Sequence, residues 1–173
     1  MQVSAKQFFT ALITMICTLG VLFGAQRLYQ KTIVQSPLVA TLGSIGGVRS
    51  AQMKNGTVTV KVKPGADLMS VYRAVYEAAD ARLGHPPTAI VFASHANSRL
   101  NAVSESASFM VAQGEATGQY IAMESNIQKL AASHGATARV ELGTHHLYLT
   151  FRQGSSVLYQ VVPVTIGGTS HAS

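Results

Sequence analysis

Apolar and polar residues recur along this chain with three different periods, and the changes of period divide it. Residues 8–25, FFTALITMICTLGVLFGA, carry no charge, and only Thr10, Thr14 and Thr18 interrupt their apolar surface. As a helix they span about 27 Å, close to the roughly 30 Å hydrocarbon core of a bilayer. A soluble core helix of this length would show a polar face. A cleaved signal would show a shorter apolar core and a small-x-small site, yet Phe23 stands two before Ala25. The run predicts an uncleaved transmembrane anchor, with a cleaved signal as the alternative.

Beyond it the period shortens to two. VRSAQMK and TVTVKV flank Asn55-Gly56, a strong two-residue hairpin signal because both central residues of a type I′ turn need positive φ. That turn sets Met53 opposite Val58 and Ala51 opposite Val60 on one face. Lys54, Gln52, Thr57, Thr59, Lys61 and Lys63 fall on the other. After Pro64-Gly65 the period becomes 3.6. Asp67 can cap a helix with Leu68, Val71, Tyr72, Val75, Ala79 and Leu83 on one side, and Gly84 stops it. TAIVFA, residues 88–93, reads as a central strand.

A long helical stretch runs from about Ala102 to His134, with Phe109, Ala116, Met123 and Leu130 spaced by seven. Gly114 and Gly118 weaken it, so its early part can be a separate helix. The end reads as a three-stranded meander. If Gly143-Thr144 is the first turn, Val140 faces Leu147 and Glu141 faces His146. LVATLGSI, ahead of the first strand, allows a short extra helix.

These elements add up to an α+β chain: an N-terminal transmembrane helix, then one small domain of mainly antiparallel sheet covered by two helices, in the order β-β-α-β-α-β-β-β. Its divisions are a tail at 1–7, the anchor at 8–25, a juxtamembrane connector at 26–47, a globular domain at 48–166 and a disordered tail at 167–173.

Charge changes this picture in one place. The net charge of +6 comes from the first third, since residues 1–63 hold seven basic residues and no acid, whereas 64–173 are nearly neutral. Arg27, Lys31, Lys54, Lys61 and Lys63 are therefore candidate contacts for anionic lipid headgroups. Stacking aromatics between these basic residues are lacking, so a nucleic-acid partner is not expected. Within the span, Gly20 and Gly24 form a G-x-x-x-G that lets two helices approach closely. Flanking charges nearly tie on orientation; the short head before the span favours export of the domain.

Chemistry is sparse. Cys17 is the sole cysteine and lies in the apolar run, so no disulfide forms within the chain. His145 and His146 are adjacent and point to opposite faces of a strand, which gives no metal pair; no metal or other cofactor is expected. No nucleophile elbow or phosphate loop occurs. One polar loop, with Ser94, His95, Asn97 and Ser98 at the end of an apolar strand, is the candidate pocket.

The order helix-β-β-α-β over about residues 38–93 resembles that of ring-building domains in membrane-bound secretion and sporulation assemblies, and is similar to that of BON domains. The resemblance is one of element order. The sequence leads to a non-enzymatic single-pass protein of the cell membrane. Its extracytoplasmic domain would form a homo-oligomer or join an envelope complex. The rivals are a tethered accessory enzyme or ligand-binding domain with its site at 94–98, and a cytoplasmic domain whose basic hairpin binds anionic lipid.

Overall fold

The computed structural model describes residues 36–164. The apolar run 8–25, with Gly20, Gly24, Arg27 and Lys31, lies outside them. Among the described residues no helix is long and apolar enough to cross a membrane. The described chain is α+β, with four helices and two three-stranded sheets.

Helix α1 (Ser36–Gly43) falls within the stretch read as a connector, yet Leu38 and Leu42, one turn apart, are fully buried in the core. It leads into the hairpin β1 (Val48–Lys54) and β2 (Thr57–Val62). Asn55 and Gly56 adopt φ of 51° and 78°, and the expected pairs Met53–Val58 and Ala51–Val60 form. The left-handed turn suits the twist of the strands it joins. Gly56 has a second reason to be glycine: a Cβ there would lie 2.4 Å from the Thr88 hydroxyl.

Helix α2 (Leu68–Leu83) begins at Asp67, whose carboxylate accepts the Met69 N–H at 3.2 Å, and ends at Gly84 with φ of 72°. Its buried stripe, Leu68, Val71, Val75 and Ala79, packs into the same core as Val58 and Val60. Strand β3 (Ala89–Phe92) returns parallel to β2, completing a β-α-β unit in a sheet of order β1-β2-β3.

Helices α3 (Ser98–Thr117) and α4 (Tyr120–Ser133) replace the long helix, broken at Gly118 with φ of 69°. The break splits the expected seven-residue stripe. Met123 is buried, but Phe109 is 74% exposed and Ala116 is also at the surface. The stripe that packs is Leu100, Val103, Ala107, Val111 and Gly114. Strands β4 (Thr137–Leu142), β5 (His146–Gln153) and β6 (Ser156–Pro163) form the antiparallel meander as a second sheet.

The expected single sheet under two helices is therefore corrected to two sheets. β3 is only four residues long, and past it the chain meets β6 through one bridge, His95 to Val157, rather than a ladder. Strand β5 sits at the centre. Leu147, Leu149 and Phe151 face α3 and α4, while Tyr148, on the alternate face, joins the α2 core. The two helical layers thus lie on opposite sides of the second sheet.

Candidate functional site

The structure places the loop predicted as a pocket at the seam between the sheets. His95 exchanges main-chain hydrogen bonds with Val157, at 2.8 and 3.0 Å. The Ser94 hydroxyl accepts the Tyr159 N–H at 3.0 Å. Asn97 caps α3 by accepting the Leu100 N–H at 2.8 Å, and its amide donates to Gln153 Oε1 at 2.9 Å. Gln153 in turn donates to the His134 carbonyl at 2.9 Å, which ties the end of α4 to β5. Ser98 is exposed at the first position of α3. The polar groups of Ser94 and Asn97 thus serve the fold. Asn97→Ala, which removes a cap and a cross-element bond, is expected to lower stability by about 1–2 kcal/mol in urea unfolding. Ser98→Ala should stay within about 0.5 kcal/mol of the parent.

Lys54 and Lys61 lie on the uncovered face of the first sheet, with Gln52, Thr57, Thr59 and the 48% exposed Val91. Lys63 is exposed just beyond β2. No acidic residue falls on strands β1, β2 or β3.

A concavity lies elsewhere, between α2 and the β4–β5 turn, with a volume of about 460 Å³. Tyr72 and Tyr76, one helical turn apart, stack with centroids 6.4 Å apart. Tyr72 also meets His146 at 5.1 Å and Tyr148 edge-on at 5.4 Å. Arg73, Glu77 and His145 are exposed on its rim. Burial raises the Tyr72 and Tyr148 phenols above their ordinary range, which already leaves a phenol protonated at neutral pH. Burial, and then His145, lowers His146, which favours its neutral imidazole. The floor is aromatic and uncharged, and its charges stand at the edge.

Sequence reading missed this groove. It assigned Tyr72 to a core stripe, and two of its partner rings, His146 and Tyr148, follow more than seventy positions later. It also placed the β4–β5 turn one residue early. The turn is Thr144-His145, closed by the Gly143 N–H on the His146 carbonyl at 2.8 Å. Val140 therefore faces Leu149, and Glu141 faces Tyr148 rather than His146. Gly143 flanks the turn, where a Cβ would lie 3.0 Å from the Tyr148 ring.

Beside the groove, Glu141 meets two opposing influences. Burial, and then the Asp67 carboxyl, raise it above its ordinary range, although Arg139 lies 2.8 Å away. Burial wins because the Arg139 side chain is largely exposed, where an ion pair is screened. A carboxyl raised on folding costs stability once ionised. That cost is absent below the ordinary value of 4.5 and grows as pH rises through the folded value. Glu141→Gln should thus be slightly more stable than the parent at pH 7, with the gain vanishing below about pH 4 in thermal melts. Asp67 has the opposite sign: the Ser70 hydroxyl, at 2.6 Å, lowers it most, and its contribution is lost as pH falls through the lowered value.

Among the described residues no group of three or more His, Cys, Asp or Glu could hold a metal ion. Family models, curated proteins and solved structures give no match to this chain.

Proposed function

We propose that this chain is a non-enzymatic, membrane-tethered assembly module. The apolar run 8–25 holds it at a membrane, the α+β domain lies on the extracytoplasmic side, and the groove between α2 and the β4–β5 turn receives a partner in a homo-oligomer or envelope complex. The observation that carries this reading is the composition of the groove. Tyr72, Tyr76, Tyr148, Met69 and Arg73 line it, and Tyr, Met and Arg are the residues enriched at interface centres. Tyr72 is held by Tyr76, His146 and Tyr148, so little ordering entropy opposes binding. The order α1-β1-β2-α2-β3 also agrees with that of ring-building domains, as a likeness of element order.

The rival site at 94–98 fits less well. A ligand using the Ser94 hydroxyl or the Asn97 amide would have to replace bonds that join β3 and α3 to the second sheet. The assembly reading is tested by the mass of the detergent-extracted full chain. Several copies are expected. The variant Tyr76→Ala with Arg73→Ala should fall to the one or two copies that the span alone can hold. A monomeric parent, or an unchanged mass in the variant, would overturn the reading.

A further inference from the structure

The outward face of α3 is unusual for a surface helix. Phe109 lies two positions from Ala107 and from Val111, both buried, and so points about half a turn away from the core. Ala102, Ala112 and Ala116 share that face and are exposed, together with the polar Ser98, Ser106 and Gln113, so Phe109 stands as one aromatic knob among small and polar side chains. Glu105, one turn before Phe109, is the acid on that face. Ile121, 87% exposed at the start of α4, adds a further apolar side chain in the same layer.

The groove offers the complement. Its floor is aromatic, and its volume of about 460 Å³ exceeds the roughly 150 Å³ that holds a benzene ring. Its rim carries the exposed Arg73, and the Arg139–Glu141 salt bridge engages neither Arg73 nor Glu105. Glu105 and Arg73 therefore both have charge to offer a neighbour.

We propose that the occupant of the groove is a second copy of this chain. Phe109 of one copy inserts beside Tyr72 and Tyr76 of the next, and Glu105 meets the Arg73 of that next copy. This rests on the assembly reading above and names its partner. Because β5 separates α3 from α2, knob and groove lie on opposite sides of the molecule. A contact of this kind is heterologous: a joined pair keeps one free knob and one free groove, so association continues past two copies into a ring or filament. Copies tethered in one membrane would share its plane.

Cysteine cross-linking in the membrane tests the junction, using the full chain with Cys17→Ser. The chain carrying both Phe109→Cys and Tyr76→Cys should give, under mild oxidation, a ladder of dimers, trimers and larger species. An equal mixture of the two single variants should stop at dimers, and each single variant alone should stay monomeric. Dimers from Phe109→Cys alone would show a symmetric α3 contact and overturn the proposal. Absence of cross-links in every combination would also overturn it. If the parent is oligomeric by mass, that second result removes this inference alone and leaves the groove to another occupant. A monomeric parent removes the assembly reading as well.

Discussion

Phe151→Ala is expected to lower unfolding free energy by about 3–5 kcal/mol, the usual cost of truncating a fully buried aromatic. Phe151 is 0% exposed at the centre of the second core, among residues from α3, α4 and the meander. Its strand, β5, is packed on both faces, which leaves neighbouring layers little freedom to collapse into the space. With typical domain stabilities of about 5–15 kcal/mol, this loss is a large fraction of the total. The melting temperature should drop by about 10 °C or more. A drop of only one or two degrees would show that β5 is not the shared centre of the molecule. The groove provides an internal control: Tyr76→Ala, at a residue 37% exposed, should melt close to the parent.

A second large effect is expected at Gly114, where two physical terms compete. Glycine inside a helix costs about 1 kcal/mol relative to alanine, so helix propensity alone predicts that Gly114→Ala stabilises. The packing predicts the opposite. A Cβ at Gly114 would lie 2.7 Å from Met123 Sδ, 2.9 Å from its Cβ and 3.0 Å from its Cγ. The sulfur can swing aside, but the Met123 Cβ moves only with the backbone of α4. Overpacking typically costs about 1–3 kcal/mol, which equals or exceeds the propensity gain. Gly114→Ala should therefore be destabilised by up to about 2 kcal/mol, and Gly114→Leu by about 3 kcal/mol or more, as read from urea midpoints. A stabilised Gly114→Ala would mean that α3 and α4 do not approach this closely. Gly118 differs: nothing stands near its missing Cβ, but its φ of +69° strains any other residue.

These two glycines show how unevenly the sequence could be read. In sequence both were weak points of a long helix. Only the packed structure separates a glycine kept for close approach from one kept for a turn. The Tyr72–His146–Tyr148 cluster was equally hidden, because its members belong to α2 and β5 and meet through folding across the whole domain.

Local features, by contrast, were legible. Asn55-Gly56 set the hairpin register, Asp67 and Gly84 bounded α2, and the run 88–93 holds a strand at Ala89–Phe92, although at the edge of its sheet and not at the centre expected of it. Each depends on backbone preference or on periodicity within a few residues, and those forces act before distant parts meet. Tertiary structure decided three things: the division into two sheets, the shift of the β4–β5 turn to Thr144-His145, and the face that α3 buries. Phe109 and Ala107 are both apolar residues on one helix, and local pattern cannot choose between them. The choice fell to the second sheet, whose Leu147, Leu149 and Phe151 shield one side of α3 from water and leave Phe109 outside.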